Sequence, residues 1–478
     1  MKNIYIKITA VLALAFAVSS CESELNQIPF DEFGVENAYV TAADYENAIR
    51  GTYLGLTGTS YYGGAFLSVP DVLSDNVTLS EYGRQTKTIL HEWRYDANSG
   101  YRGLYQDAYT TIYRANLILS NIENFEGDNK DNITGEALAL RALAHFDVAR
   151  TFAKIPTQSS DANASLGVVY RTVTEPFIDY PLQQLPRNTV AESYQMMVDD
   201  LVLAKSLIND TNPDARMNKE SVALLLSRVY LYMGRWQDAI DAANEVSTSV
   251  AARDNIVDVW TDDSRDGLVF YISNTEDVLD LSVGVEWSQA SPSSLIPEYV
   301  ASFQLNALYD NGNDIRRDAY IFDGTEAGGN PVNGIKKLLG KGTNFAGKVD
   351  LKILRAAEAS LNRAEAHFAL GQEGPARAAL DEVRTKRYLT PPAGETGTAL
   401  RDAIRLERRL EFAFESQRFF DLKRWGLPIA RGSEGGNADG TGQPSNALLL
   451  DAGNFKFQLP IDLSSIIVNP SLQQNSGY

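Results

Sequence analysis

Four carboxylates and an arginine near the C-terminus follow helical spacing: Glu407, Glu411, Glu415, Arg418 and Asp421. Carboxylates spaced this way share one side of a helix, where they could serve as general acid and base or as metal ligands. The same pattern suits a buried ion-pair network, because charges inside a protein persist when paired and hydrogen-bonded. Arg418 lies three residues after Glu415 and three before Asp421, which favours the network. A second group is aromatic. Tyr61, Tyr62, Tyr82, Arg84, Trp93 and Tyr95 all fall within residues 57–100, where apolar periodicity gives way to Gly, Ser and Asn. Aromatic faces stack on the C–H patches of sugar rings while Arg bonds their hydroxyls. The competing role is packing of the loop onto the core. Trp287, on a loop before Ser-Pro, is a further stacking candidate.

The elements that must position these groups are mostly helical. Residues 403–426 lack Pro and internal Gly, are rich in helix formers, and predict one helix ended by Gly426 and Pro428. On it, Leu406, Leu410, Ala413, Phe414 and Phe420 form one apolar arc and Ile404, Phe412, Phe419 and Leu422 another. The acidic stripe lies between them, which leaves Arg409, Ser416 and Lys423 for solvent. Helical pairs are expected at about 104–153, 189–247, 351–388 and 399–426. Ser227, Tyr230, Gly234, Ala239 and Ala243 repeat their steps in Ala364, His367, Gly371, Ala376 and Leu380. That is the spacing of tetratricopeptide (TPR) repeats, in which small residues let two helices approach and Gly ends the first. The expected fold class is mainly α, a scaffold of TPR-like helical pairs. Two irregular regions, about 57–100 and 255–344, interrupt it and carry the ligand site. Residues 268–272 read as a small strand.

A formal charge of −19 over 478 residues argues against nucleic-acid binding, which needs a basic footprint. Residues 1–20 read as a lipoprotein signal peptide: Lys2 and Lys7 precede an apolar run too short to span a bilayer. The small residues before Cys21 resemble a lipobox, and Cys21, the only cysteine in the chain, reads as a lipidation site. Residues 21–34 then form a tether, and 35–478 a single domain. Glu22 and Glu24 resemble the surface-export signal of Bacteroidetes-type lipoproteins. His145 and His367 read as core residues, and with His91 they are too dispersed for a zinc site. Asp310, Gly312 and Asp314 suggest a calcium loop without the ligand spacing of an EF-hand, so no cofactor is expected and calcium stays open.

Several separate motifs carry a family resemblance. The run ER-x2-E-x3-E-x2-R-x2-DL-x-RWG, starting at Glu407, resembles the C-terminal signature of the SusD/RagB nutrient-binding lipoproteins, with Ser416 where that family often has Gly. RALAHFDVARTFAKIP up to Pro156, LRAAEASLNRAEA and the ending NPSLQQNSGY resemble other family segments, with Ser476 in place of the usual Pro. The resemblance implies an outer-membrane, surface-exposed glycan-binding lipoprotein. It would deliver oligosaccharide to a SusC-like TonB-dependent β-barrel transporter, with the TPR-like face against the barrel. A RagB-like peptide receptor is the alternative. A glycoside hydrolase fits less well, because its two carboxylates face each other across a sugar and usually come from different elements.

Overall fold

The computed structural model describes residues 38–99, 101, 103–172, 184–275, 277, 279–290, 295–326, 328–340 and 347–478. The signal peptide and the whole tether, Cys21 included, lie outside the described residues.

Helix α1 (Ala42–Gly55) opens on a capping box in which Thr41 and Asp44 satisfy each other's backbone N–H groups. Then α2 (Gly103–Asn121) and α3 (Lys130–Phe152) form a hairpin, followed by α4 (Val190–Leu207), which has its own Thr189–Glu192 capping box. α3 is buried on nearly every side, which its alanines allow by letting neighbours approach closely. At Gly135 on this helix an added Cβ would lie 2.9 Å from the carbonyl oxygen of Ala204 on α4. Helix α5 (Lys219–Met233) ends at Gly234, whose φ of 71° is left-handed, and α6 (Trp236–Asn244) returns along it. After the long irregular region come α7 (Ala356–Ala369), α8 (Glu373–Arg384), α9 (Gly397–Glu411) and α10 (Arg418–Arg424). Gly371, between α7 and α8, repeats the left-handed conformation with φ 73°.

From α2 to α9 each helix packs on the one before it, and α6 packs directly on α7 although residues 245–355 separate them in the chain. The two repeat units are thus neighbours in space, and the irregular region is an insertion between them. That insertion contributes most of the β-structure. β1 (Val77–Leu79), β5 (Tyr299–Ala301), β7 (Pro331–Ile335) and β6 (Ile321–Thr325) form an antiparallel sheet in the order β1-β5-β7-β6. β2 (Leu268–Ile272) pairs antiparallel with β8 (Leu351–Arg355), so the segment expected to begin a helical pair at residue 351 starts as a strand that runs straight into α7. Two-stranded sheets join β3 (Ser288–Ala290) to β4 (Leu295–Pro297), and β9 (Ile429–Ala430) to β10 (Leu449–Leu450).

The predicted helix over 403–426 is broken. α9 stops at Glu411 and α10 begins at Arg418; between them Phe414 and Ser416 take φ values of 64° and 61°. The cause is a distant carboxylate. Buried Asp71 accepts hydrogen bonds from the Phe414 and Ser416 backbone N–H groups at 3.2 and 3.0 Å, which holds the turn open against the local helical preference. The break changes which side chains meet solvent. Ser416 and Lys423 are buried, Arg409 is nearly so, and Leu406 is exposed. Lys423 instead donates to the carbonyls of Arg150 and Ala153 at the C-terminal end of α3, 2.7 Å each.

Candidate ligand-binding surface

The carboxylates of the C-terminal motif lie inside a dense set of arginines supplied by several elements. Glu411, fully buried, accepts Nε and Nη2 of Arg387 at 2.8 and 2.9 Å and Nη1 of Arg355 at 2.9 Å. Glu407 faces Arg316 at 2.7 Å and Arg384 at 3.1 Å. Glu415 takes Lys337 and Arg355, both at 2.6 Å, and Asp421 takes Arg424 at 2.8 Å and Arg408 at 3.2 Å. Arg418 does not serve them. It grips Asp75 with two hydrogen bonds of 2.8 and 2.9 Å, because the break before α10 turns it toward the loop ahead of β1. Burial alone would raise the Glu411 carboxyl, but the Arg387 and Arg355 guanidiniums hold it well below the usual range. A general acid needs the opposite shift.

Most of the aromatic candidates also point inward. Tyr61 and Tyr62 donate to the same Asp147 oxygen at 2.6 and 2.9 Å, and burial followed by that carboxylate pushes both phenols well above their ordinary range. Trp93 donates Nε1–H to the Leu73 carbonyl at 2.9 Å, and the Arg431 guanidinium lies 4.1 Å above its ring, where a sugar would have stacked. Tyr95 donates to the Lys456 carbonyl at 2.5 Å. Trp287 is fully buried, edge-on to Phe414. These five residues are packed in this structure, because a loop rich in Gly and Ser folds back on the core and buries its largest apolar groups. Among the histidines, His91 and His145 are buried, while His367 is only half-buried and bonds Gln372. Asp314 is buried and paired with Arg316 at 2.7 Å rather than open to a cation. Among the described residues, no group of three or more His, Cys, Asp or Glu is placed to hold a metal ion.

Tyr82 and Arg84 are different. Tyr82 is 48% exposed, and an added Cβ at Gly328 would lie 2.3 Å from its ring, so the ring rests directly on that glycine. Arg84 is exposed, and its Nη2 donates to the Val285 carbonyl at 2.8 Å and to Glu298 at 3.0 Å. Glu298 is fully buried, with its other oxygen accepting both the backbone N–H and the hydroxyl of Thr86 at 2.5 Å. Lys87 pairs with Glu286 at 3.1 Å, and Glu286 also accepts the Ser68 hydroxyl at 2.6 Å. Gly83 makes this docking feasible, since a Cβ there would meet the Glu298 Cα at 2.5 Å. Residues from three segments therefore meet at one surface: Tyr82 to Lys87 after β1, then Val285, Glu286 and Glu298, and Gly328 between β6 and β7. Sequence reasoning named Tyr82 and Arg84 as candidates but not Glu298, Thr86 and Gly328, which the structure places beside them. Their only sequence signal is a glycine beside the aromatic and two more in the facing turn.

Two family models match the chain. One, described as "SusD family", covers residues 332–478; the other, described as "Starch-binding associating with outer membrane", covers residues 38–231. This chain belongs to the SusD/RagB family. A SusD-like protein of Formosa agariphila is 22% identical over 97% of this chain and 98% of its own length. The crystal structure of a SusD superfamily protein from Bacteroides thetaiotaomicron superposes with a TM-score of 0.79 at 25% identity, covering 91% of this chain and all of that one. A second, from Bacteroides vulgatus, gives 0.79 at 26% identity over 92% of this chain and all of its own. The two family matches leave out residues 232–331. In this SusD/RagB member that span holds Glu286 and Glu298, the residues against which Lys87 and Arg84 dock. No helix among the described residues is long and apolar enough to cross a membrane.

Proposed function

We propose that this SusD/RagB protein captures an oligosaccharide at the surface around Tyr82 and Arg84 and passes it to a SusC-like TonB-dependent transporter. Lipid on Cys21 would hold it to the outside of the outer membrane, and the TPR-like helical face would rest on the barrel. The observation that carries this reading is Tyr82, a half-exposed ring seated on Gly328 beside an anchored arginine. Such a ring stacks on the C–H face of a pyranose, and Arg84 donates to its hydroxyls. The description of the N-terminal family model as starch-binding and associated with the outer membrane supports a carbohydrate ligand. A single open platform gives a weak site, which suits a receptor whose tethering beside the transporter raises the effective concentration. Binding rather than hydrolysis is the role proposed, because the motif carboxylates are buried among arginines.

Affinity electrophoresis through gels containing individual polysaccharides tests the reading. One or more glycans should retard the protein, and Tyr82→Ala should reduce that retardation at least about tenfold, the scale of losing one stacked ring. Unaltered retardation of Tyr82→Ala would move the site elsewhere, and no retardation across a broad panel would favour a peptide ligand.

A further inference from the structure

The same surface carries a charge pattern that narrows its ligand. Its cations are already spoken for: Arg84 by Glu298 at 3.0 Å and Lys87 by Glu286 at 3.1 Å. Glu298 cannot turn away to free Arg84, because it is fully buried and its second oxygen is held by Thr86. An anionic ligand that drew the Arg84 Nη2 away would strip a buried carboxylate of its partner, and one that used the other guanidinium nitrogens would meet a charge that Glu298 already balances. Two further carboxylates belong to the segments that meet here. Glu326 is buried and, among the described residues, bonds neutral donors, the Ser80 hydroxyl at 3.0 Å and the Asn330 amide at 2.6 Å. Glu81, next to Tyr82 in the chain, is exposed, and no cation pairs with it among the described residues. Among the described residues, the segments that form this platform thus carry four carboxylates, Glu81, Glu286, Glu298 and Glu326, and two cations, both engaged, on a protein of net charge −19.

Resting on the reading of Tyr82 as a sugar platform, we infer that this protein selects uncharged glycans and rejects those carrying uronate, sulfate or phosphate groups. Arg84 has only its Nη2 engaged among the described residues, so Nε and Nη1 are left to donate to neutral hydroxyls without disturbing Glu298. An anionic saccharide meets the exposed Glu81 and, among the described residues, no cation whose charge is not already balanced, which acts against the wrong ligand more than it helps the right one.

The test is affinity electrophoresis of the purified protein and of Tyr82→Ala through gels containing neutral polysaccharides, and through carboxymethylated and sulfated derivatives of the same polymers. The expected result is retardation by a neutral glycan, lost in Tyr82→Ala and insensitive to added salt, with at least about tenfold weaker retardation by its anionic derivatives. Retardation by an anionic derivative equal to or stronger than that by the neutral parent, and lost in Tyr82→Ala, would overturn the inference while keeping the site. Retardation by a neutral glycan that survives Tyr82→Ala would overturn the site and the inference drawn from it. Failure of every polymer, neutral or anionic, to retard the protein would overturn the glycan reading itself. Unchanged thermal unfolding of Tyr82→Ala separates loss of the platform from loss of the fold.

Discussion

His145 shows how one buried side chain can set the acid response of the helical scaffold. Its Nδ1 lies 2.9 Å from the Arg141 carbonyl and its Nε2 accepts the Arg171 backbone N–H at 3.1 Å, so the ring is neutral with the proton on Nδ1. It also stacks on Tyr170 at 3.8 Å. A second proton would need the lone pair that Arg171 already uses. Burial, with Arg141 nearby, pushes the imidazole down to about 3. The unfolded chain therefore binds this proton near its ordinary pKa of about 6.5 and the folded chain does not. Stability from this group is complete above about pH 6.5 and is lost as pH falls toward 3, by on the order of 5 kcal/mol. Asp71, which burial pushes up to about 6, slopes the opposite way, favouring the fold at lower pH. The two are separated by urea unfolding of wild type and His145→Gln across pH 4 to 7. The variant should show a clearly shallower loss on acidification. An identical pH slope in both would mean that His145 is not the titrating group. The aromatic candidates teach a related lesson at the same scale. Tyr61, Tyr62 and Trp93 have the residue type and loop context of sugar platforms. What decides against them is a neighbour, Asp147 in one case and Arg431 in the other, that lies far away in the chain.

At the scale of elements, the break between α9 and α10 is the main departure from what the sequence predicts. Ser416 stands where the SusD/RagB signature often has Gly, and its φ of 61° supplies the physical reason for a glycine there. The serine offsets its strained backbone with a hydrogen bond of 2.5 Å from its hydroxyl to the Phe66 carbonyl. Ser416→Gly should therefore change stability by less than about 1 kcal/mol, relief of strain cancelling the lost bond. Ser416→Ala keeps the strain and loses the bond, and should cost about 1–2 kcal/mol. Chemical denaturation of the two variants measures the difference, and equal costs would show that the left-handed backbone is not strained. Helix starts and stops elsewhere were legible. Thr41 with Asp44, Thr189 with Glu192, and the two glycines of the TPR-like spacing act within a few residues of themselves.

At the scale of the whole molecule, the C-terminal tail closes the structure. Arg187 is buried, and burial pushes its guanidinium down to about 10; it donates to the Gln473 carbonyl at 3.0 Å and to Asn475 Oδ1 at 2.8 Å. Asn475 in turn donates to the carbonyls of Phe152 and Leu459 at 2.6 and 2.7 Å, tying the tail to the end of α3. Asn475→Ala would leave a buried cation short of one acceptor and the Leu459 carbonyl without a donor, at a cost of about 2–3 kcal/mol. A drop in urea midpoint at unchanged slope would register that cost. A midpoint that did not move would mean the tail is not a closing element.

The sequence by itself determined the helical pairs, their glycine stops, the acidic surface and the signature segments, because each rests on residue type and spacing within a few turns. Only the tertiary structure decided which aromatic ring stays open, which arginine meets which carboxylate, and where the last long helix breaks. Those outcomes depend on pairs such as Arg84 with Glu298, separated by 214 residues, and Asp71 with Ser416, separated by 345. No local pattern records contacts at that distance. They are set when the insertion between α6 and α7 folds back onto the loop after α1, where burying an aromatic is favourable and an unpaired charge is not.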